Sequence, residues 1–391
     1  MTLSFIVTTY DILDYVERCL ASVAACARAG DTVIVVDDGS ADGTAEKVEA
    51  TLEATNFQDG VRTEVMLFGA NTAGGVGIAG NTGLHLALSD PACDAVFFVD
   101  GDDWLEPAGF QASRRAFAMS QADILIANYA EYDEQAGTHR RPADAAAWAR
   151  IPRLPRNDPA AARRLALSMI AVPWRKFYRA GFLRQHGLRF PEGDFFFEDN
   201  PFHWAVCLKA DRIAFHDRIL CQHRINRPGQ TMESTGTELI AFFDHYDTIL
   251  SLLPTGEDTL AQMALEWLLN NMTWHVSRLH PEAFWPYAMR AAKLFAAVPD
   301  RIWQPVYAAA STRMIGGVAE ALRRGDTAGV VAVWMQSAQA TTLEALEERL
   351  DTLEAAIHGP LEQVAAQVSG LNDIARYQAL LALPGPAAET K

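Results

Sequence analysis

The chain has 391 residues, of which 50% are hydrophobic and 21% are charged. Its length is well above the ~150 residues of a typical domain, which excludes a single small module. The apolar content excludes disorder of the whole chain. Asp and Glu number 49 against 33 Lys and Arg, for a net charge of −16. Such a field repels nucleic acid, so we expect no nucleic-acid partner.

The five cysteines are widely spaced and form no C-x-x-C pair. This indicates reduced, buried thiols, and neither a disulfide framework nor a zinc site. Three acids, Asp11, Asp14 and Glu17, precede the first base, Arg18, which is the wrong charge order for a signal peptide. No apolar run reaches the ~18 residues that a transmembrane helix needs. We therefore expect a cytoplasmic protein without a transmembrane segment; peripheral attachment at the inner face of the membrane is compatible with the sequence.

The first part of the chain alternates short runs rich in Val, Ile and Phe with amphipathic stretches, which predicts an α/β fold with a mostly parallel sheet. Nearly continuous apolar strands are typical of a sheet covered on both faces. The predicted strands are Leu3–Thr9, Thr32–Asp37, Arg62–Phe68, Asp94–Val99 and Asp123–Ala127. The predicted helices are Ile12–Ala27, Thr44–Ala54, Ile78–Ser89 and Pro107–Met119.

The middle of the chain is more mixed. Residues 131–159 are polar and rich in Arg and Pro, and we expect an irregular loop there. The next predicted helices lie near Ala160–Ile170 and Asn200–Lys209, and short strands near Arg212–Phe215 and Leu220–His223. From residue 238 onward the pattern is helical. We therefore expect three parts: residues 1–130, residues 131–235, and a helical C-terminal part over residues 236–391.

Apolar residues in the C-terminal tail alternate by three and four, the spacing of a coiled-coil seam. They are Leu343, Leu346, Leu350, Leu353 and Ile357, and, after an interruption at Gly359-Pro360, Leu361, Val364, Val368 and Leu371. The tail is therefore either a helical hairpin or a kinked helix. Its seam is compatible with pairing of subunits, so a homo-oligomer is one expectation; docking of a partner and internal packing are the others.

Three carboxylates follow the fourth predicted strand, in Asp100-Gly101-Asp102-Asp103. Ligands of open α/β sheets bind at the carboxyl ends of the strands. Like charges this close repel each other unless they share a cation, and ligands that are all oxygen indicate Mg²⁺ or Mn²⁺. This spacing suits a metal that holds a diphosphate. The alternative is an Asp-rich turn without a ligand.

Two other strands end at the same edge of the sheet. The first carries Thr8 and Tyr10 there, and the second carries Asp37 and Asp38. Asp38 has the chemistry to accept a hydrogen bond from a nucleobase N–H, and Tyr10 to stack on the base. The alternative is that both aspartates only cap the helix that follows.

Together these motifs resemble the family 2 glycosyltransferases of the GT-A fold. The match rests on Thr8-Thr9-Tyr10, Asp37-Asp38-Gly39-Ser40, Gly74-Gly75 through Asn81, and Asp100-Gly101-Asp102-Asp103, in this order. It extends over roughly residues 1–235 and is far more specific than any single motif. The resemblance implies a GT-A fold, Rossmann-like with a mostly parallel sheet, a nucleotide-sugar donor, commonly a UDP-sugar, a bound Mn²⁺ or Mg²⁺, and transfer with inversion.

The resemblance also implies roles for individual residues. Tyr10 and Asp38 fall at the base-binding positions, Asp100 and Asp102 at the two aspartates of the D-x-D motif, and Asp103 at a neighbouring carboxylate that some members use for the metal. The other residues that we assign to donor binding from the same motifs are Thr8, Gly75 and Asn81.

The chain departs from the family immediately before Asn81, where an Arg is usual and Gly80 stands here. The donor diphosphate then needs another positive partner. We expect the metal and a base from the second block, Lys176, Arg224 or Arg227, to supply it.

The glycines Gly75, Gly77 and Gly80 also fit the dinucleotide fingerprint, with Asp100 where a ribose-binding acid would stand. An NAD(P)-dependent oxidoreductase is therefore the alternative function. Two facts disfavour it: the glycines do not follow the first strand, and ribose recognition needs one acid and not three.

Glu198-Asp199 resembles the acidic pair at the start of the helix beneath the acceptor, where the family's Asp is generally the base. An inverting transfer needs one carboxylate to take the proton of the acceptor hydroxyl, so Asp199, with Glu198 beside it, is our catalytic candidate. The alternative is that Asp199 only caps its helix. Trp174 is interpreted either as an acceptor contact or as core, and His223 as a late metal ligand or a structural histidine.

The sequence thus predicts a metal-dependent, inverting glycosyltransferase whose acceptor is a saccharide or a lipid-linked glycan, in polysaccharide or glycan synthesis. The sugar is not readable, because pockets that differ by one hydroxyl contact leave no trace in a single sequence. A further alternative is a non-catalytic scaffold that works through its helical tail; it predicts no transfer with any nucleotide sugar.

Overall fold

The computed structural model describes residues 1–155, 158–230, 234–311 and 313–382. Within these ranges the strands of one mixed sheet are β1 (Leu3–Thr9), β2 (Thr32–Asp37), β3 (Arg62–Leu67), β4 (Ala95–Asp100), β5 (Trp104–Leu105), β6 (Ile124–Asp133), β7 (Thr138–Arg140), β8 (Lys176–Arg179) and β9 (Ile213–Ile225). The order across the sheet is β3-β2-β1-β4-β8-β6-β9-β5, with β7 paired to β6.

The helices of the first 210 residues cover this sheet. They are α1 (Val16–Cys26), α2 (Thr44–Ala54), α3 (Gly77–Ser89), α4 (Pro107–Met119), α5 (Ala145–Trp148), α6 (Pro159–Leu167), α7 (Ala180–His186) and α8 (Asp199–Lys209). Further along the chain lie α9 (Ala241–Leu252), α10 (Asp258–Val276), α11 (Pro281–Ala297), α12 (Asp300–Ala310), α13 (Met314–Arg323) and α14 (Thr327–Leu381).

The first half of the sheet follows the predicted α/β pattern. Strands β3, β2, β1 and β4 pair in parallel, and β1, β2 and β4 are buried along almost their whole length. Strand β3 differs from the expectation of a strand covered on both faces, because it lies at the edge of the sheet and all its residues are exposed. Its charged residues Arg62 and Glu64 suit that edge position.

The second half of the sheet corrects two predictions. The stretch expected to be an irregular loop contains the end of β6, the short strand β7 and helix α5; Arg156 and Asn157 within it lie outside the described residues. The two short strands expected near residues 212–223 are one strand, β9. Between Ala127 and Asn128 the pairing partner jumps from His216 to Ile219, so residues 217 and 218 bulge from β9. The bulge hides the strand's two-residue period.

Aromatic side chains join the sheet to α4. The ring centroids of Phe97 and Phe110 are 5.0 Å apart, and those of Phe97 and Phe177 are 4.8 Å apart. At the other end of the strands, Asp31 accepts hydrogen bonds from both terminal nitrogens of Arg114 at 2.6 Å and from the Leu3 N–H at 2.9 Å. This buried ion pair fixes the start of β1, and with it the register of the parallel half of the sheet.

The chain divides into two compact units, Met1–Thr327 and Ala328–Lys391. In the first, α9 to α13 form a helical core in which Phe243 and Tyr287 are 4.9 Å apart between ring centroids. In the second, α14 runs through Pro360 as one continuous helix to Leu381; the predicted helical hairpin is therefore wrong. The expected divisions near residues 130 and 235 stay a prediction. Within the described ranges, no helix combines the length and the apolar character needed to cross a membrane.

Candidate active site

Parallel pairing brings the polar ends of three strands together, as predicted. Thr8 of β1 is in register with Asp100 of β4, and Thr9 is in register with Asp37 of β2. Main-chain hydrogen bonds continue past the strands: the Asp38 N–H donates to the Thr9 carbonyl and the Gly101 N–H to the Thr8 carbonyl, both at 2.9 Å. The carboxyl edge of the sheet therefore carries one continuous polar surface.

The side chains of Asp100, Asp102 and Asp103 form a single acidic cluster, in which one potential ligand atom of each lies within 4.8 Å of the others. The turn that brings them together needs glycine at position 101. A Cβ there would lie 2.5 Å from Ile12 Cδ1 and 2.8 Å from the Thr8 carbonyl oxygen. We call these three carboxylates the acidic corner.

Strand β9 supplies the cations of the acidic corner. His223 Nδ1 lies 3.0 Å from Asp103 Oδ2, and the Arg224 N–H donates to Asp103 Oδ1 at 2.7 Å. After the strand ends, Arg227 Nε donates to Asp102 Oδ2 at 2.5 Å. Because these partners lie more than a hundred positions away in the sequence, local patterns did not predict the contacts.

The charges of the acidic corner perturb each other's ionisation. Burial, followed by the negative charges of Asp103 and Asp102, raises the pKa of Asp100 well above its usual range. Burial also raises the pKa of Asp103, although His223 opposes this. Burial disfavours charge on His223, but the neighbouring carboxylates outweigh it and raise its pKa to about 9. The imidazole is thus protonated at neutral pH and acts as a hydrogen-bond partner of Asp103; a role as metal ligand stays a prediction.

Of the three bases expected to compensate the diphosphate, Lys176 is buried and hydrogen-bonded to the main chain. Its side chain is fully buried, and Nζ donates to the carbonyl oxygens of Ala171 at 2.8 Å and Val172 at 2.5 Å. Burial, with a smaller effect from Arg175, lowers its pKa to about 7. The ammonium is therefore held by main-chain carbonyls inside the protein, and a contact of Lys176 with the diphosphate stays a prediction.

Arg224 also serves mainly to hold the structure together. It is buried, its Nε donates to the Asp102 carbonyl at 2.9 Å, and its Nη1 pairs with Glu134. The guanidinium carbon lies 4.5 Å from the centroid of the Tyr15 ring. Arg227 is therefore the arginine of this group whose guanidinium contacts a carboxylate of the acidic corner.

The donor-binding candidates on β1 and β2 differ in accessibility. Tyr10 is 47% exposed, so its ring is free to stack on a base. Asp38 is buried, and it accepts hydrogen bonds from Thr72 Oγ1 at 2.8 Å and Asn71 Nδ2 at 3.1 Å. Burial raises the pKa of Asp38, and its bonds with Thr72 oppose the rise. The sequence did not single out the 71–72 segment that orients this carboxylate.

The glycine-rich segment before α3 packs against the loop that carries the catalytic candidates. The Gly75 N–H donates to the Phe195 carbonyl at 3.0 Å. Asn81 Nδ2 donates to the Phe190 carbonyl at 2.9 Å and to Glu192 Oε1 at 2.7 Å. Asn81 thus anchors this loop to α3; donor binding by Asn81 stays a prediction.

The position before Asn81 is occupied by glycine for a steric reason. A Cβ on Gly80 would approach the Phe190 ring to 3.1 Å, and Phe190 itself stacks on Phe202 with ring centroids 4.1 Å apart. This packing leaves little room for an arginine at position 80. The positive charge that the family usually has there must therefore come from elsewhere.

Glu198 and Asp199 lie at the start of α8 in different environments. Glu198 is buried, and burial raises its pKa to about 7, an effect that the amides of Gly77 and Val76 partly oppose. Its Oε1 has no hydrogen-bond partner among the described residues. Burial raises the pKa of Asp199 to about 6, opposed by the charge of Lys176. Asp199 is the first residue of α8 and lies in its acidic first turn, after Glu198 at the N-cap position.

The base candidate Asp199 lies near the acidic corner. The charge of Asp199 is close enough to contribute to the raised pKa of Asp100. Trp174, left open between acceptor contact and core, is buried and stacks on His223 with ring centroids 4.7 Å apart. Trp174 thus supports the acidic corner through His223.

The geometry disfavours the dinucleotide interpretation of Gly75, Gly77 and Gly80. A Cβ on Gly75 would lie 2.7 Å from both carboxylate oxygens of Glu198. The absence of a side chain at Gly75 therefore allows the Glu198 carboxylate of the protein itself to pack against this segment. A second anion, the pyrophosphate of a dinucleotide, would be repelled from this position when Glu198 is ionised.

The chain is similar to known glycosyltransferases. The profile of glycosyl transferase family 2 matches residues 4–186. The uncharacterized glycosyltransferase EpsJ of Bacillus subtilis strain 168 is 26% identical over 255 residues, which are 62% of this chain and 70% of EpsJ. The putative glycosyltransferase EpsH of the same organism is 25% identical over 228 residues, which are 57% of this chain and 60% of EpsH.

Among solved structures, residues 1–349 of S. aureus TarS in complex with UDP-GlcNAc match with a TM-score of 0.64 and 20% identity. The alignment covers 87% of this chain and 92% of that chain. At this level of identity the likeness establishes the fold, which is GT-A. On the family profile and the curated relatives, residues 4–186 form a glycosyl transferase family 2 domain, and the protein is a glycosyltransferase.

Proposed function

We propose that the protein is a metal-dependent, inverting glycosyltransferase that moves a sugar from a UDP-sugar to a hydroxyl of a saccharide or a lipid-linked glycan. The observation that carries the proposal is the acidic corner, with Asp199 close enough to perturb the ionisation of Asp100. An inverting transfer needs a diphosphate site and a general base close together.

The acidic corner fits a divalent metal. The three carboxylates, Asp100, Asp102 and Asp103, repel one another in a buried place, and a dication bound between them would relieve that repulsion. All the candidate ligands are carboxylate oxygens, the donors that Mg²⁺ and Mn²⁺ prefer. A bound metal would neutralise negative charge on the diphosphate leaving group.

Arg227 supports donor binding in place of the missing arginine at position 80. Its guanidinium already lies at the acidic corner, next to Asp102. A guanidinium forms two parallel hydrogen bonds with phosphate as readily as with carboxylate. We infer that Arg227 contacts the donor diphosphate.

Asp199 supports the inverting mechanism. With a pKa of about 6 it is mostly ionised at neutral pH and still basic enough to take a proton. In the proposed step, the acceptor hydroxyl loses its proton to Asp199 while its oxygen attacks the anomeric carbon and the bond to the diphosphate breaks. Attack on the face opposite the leaving group inverts that carbon. No covalent intermediate with the protein is needed.

Calorimetry on the whole protein tests the donor class. We expect UDP-GlcNAc or UDP to bind with Mn²⁺ present and more weakly after chelation, and a hydrolysis screen of UDP-, GDP- and dTDP-sugars to identify the donor. UDP-GlcNAc is the first probe because TarS, which shares the fold, has been seen with it. Binding of NAD in place of these nucleotides would support the oxidoreductase, and no hydrolysis or transfer with any donor would support the scaffold.

Arg227→Ala tests the compensating cation. Loss of a charge-assisted hydrogen bond to phosphate is worth about 1.5–3 kcal/mol, or roughly 10- to 100-fold in donor affinity. Arg218→Ala is the matched control, because Arg218 is an exposed arginine on β9 outside the acidic corner. Unchanged donor affinity in Arg227→Ala would show that Arg227 does not contact the diphosphate.

A further inference from the structure

Helix α14 carries a long row of apolar side chains in solvent. Between residues 343 and 381 these side chains are 53–68% exposed. They are Leu343, Leu346, Leu350, Leu353, Ile357, Leu361, Val364, Val368, Leu371, Ile374, Tyr377, Leu380 and Leu381. Contiguous apolar surface of this extent marks an interaction site.

Most of these residues follow one uninterrupted heptad register. Leu343, Leu350, Ile357, Val364 and Leu371 occupy successive a positions, and Leu346, Leu353, Ile374 and Leu381 occupy d positions. Two d positions hold Pro360 and Gln367, beside the apolar e residues Leu361 and Val368. An apolar repeat of seven residues over this many heptads is typical of a coiled coil. A single helix in solvent does not need such a row of apolar side chains.

The charged positions indicate what kind of helix covers the seam. Arg349 falls at a g position, and Glu354, five residues later, falls at the following e position. In two parallel, in-register copies, g of one helix faces this e of the other, so each Arg349 meets a Glu354 of opposite charge, twice per dimer. A fully overlapping antiparallel pair would instead place Glu354 opposite the apolar Val368.

A membrane surface fits this helix poorly. Residues 343–381 contain seven acids and two arginines. Helices that lie on membranes usually carry Lys and Arg on their polar face, and an acidic face is repelled by anionic lipids. The charge pattern therefore favours a partner helix that carries an arginine opposite Glu354.

We propose that residues 343–381 associate with the same segment of a second copy of this chain, as a parallel, in-register coiled coil. The a and d side chains form the buried seam, and Leu361 and Val368 widen it where Pro360 and Gln367 interrupt the d positions. The proposal does not rest on the proposed function, and it concerns the α14 segment only.

Sedimentation equilibrium of the full chain, from about 0.1 to 50 μM, tests the association. We expect a mass of twice the 42.9 kDa of one chain. The double variant Leu350→Asp/Ile357→Asp, which puts charge at two a positions, should sediment as a monomer. Ala355→Asp, at an outward f position, is the control and should associate like the wild type. A 42.9 kDa wild type at all concentrations would overturn the proposal.

Two further variants test orientation without removing apolar residues. Arg349→Glu should weaken association several-fold because like charges then face each other, and the swap Arg349→Glu/Glu354→Arg should restore it. Leu353→Cys should form a disulfide between two chains under mild oxidation, because a d residue faces its own counterpart in a parallel pair, whereas Ala355→Cys should not. The native cysteines are all buried and do not interfere. Failure of the swap to restore association, together with no cross-link from Leu353→Cys, would rule out the parallel register.

Discussion

Replacing Asp199 by asparagine should abolish most of the activity and at the same time stabilise the protein. Burial raises the pKa of Asp199 from 3.8 to about 6, so the folded state disfavours its negative charge. A shift of about two units corresponds to about 3 kcal/mol, since one unit is worth about 1.4 kcal/mol. Asparagine keeps the shape, and it retains an oxygen to accept the bond that Asn200 Nδ2 now donates at 2.9 Å.

The pH dependence fixes the sign of this effect. An acid whose pKa is raised on folding binds more protons in the folded state, so its contribution destabilises the protein as pH rises from about 4 to about 6 and is constant above. The gain from Asp199→Asn should therefore be greatest, up to about 3 kcal/mol, at neutral pH and vanish near pH 4. Wild-type transfer should fall as pH drops below about 6, where the base becomes protonated.

Urea unfolding and transfer rates, each measured against pH, check both parts. Loss of the general base should lower the transfer rate by about 10²- to 10⁴-fold, with donor binding retained. Asp211→Asn, which removes an exposed carboxylate just after α8, is the control for charge alone. The assignment fails if Asp199→Asn keeps near-normal transfer, and the burial argument fails if both variants unfold at the same urea concentration at pH 7.

Two other substitutions test the packing around the site. Gly75→Ala should reduce transfer and destabilise the fold by about 1–3 kcal/mol, because its Cβ would meet the buried Glu198 carboxylate at 2.7 Å; unfolding and transfer assays measure this. Arg114→Met should destabilise the protein by about 3–5 kcal/mol, because it leaves Asp31 buried without its cation, and chemical denaturation measures the loss.

Matched substitutions separate these effects from general sensitivity. Gly181→Ala places a Cβ in open space in α7 and should be neutral or stabilising by up to about 1 kcal/mol. Arg324→Met removes an exposed arginine that pairs with Glu320 and should change stability by less than about 1 kcal/mol. If each control behaves like its test variant, the close contact of Gly75 or the burial of Asp31 is not the cause.

The parallel half of the fold was readable from the sequence because its signals are local. Strands β1 and β2 begin and end where their apolar runs do, and parallel strands carry the residues that follow them to one edge. The acidic corner and its position were therefore predictable. The family resemblance, confirmed by the comparisons, added the expected roles of Asp100 and Asp102.

What the sequence did not indicate depends on pairing between distant segments. Lys176 looked like any other cation, and its burial results from the pairing of β8 between β4 and β6. The single strand β9 was hidden by its bulge. The contacts of Arg227 with Asp102 and of Asn81 with Glu192 join residues more than a hundred positions apart. The periodicity of the local sequence does not predict such contacts.

Strand β5 has a consequence for how the enzyme is assembled. Trp104 pairs with Gln222 of β9, directly beside the contact of Asp103 with His223, so the acidic corner draws on segments that leave the ribosome far apart in time. A nascent chain that has reached residue 186, the end of the family match, holds all three aspartates but lacks both their cations and Asp199. The metal affinity of such a fragment would be that of the three aspartates alone. Co-expression with the missing segment would show how the affinity changes once His223, Arg227 and Asp199 are present.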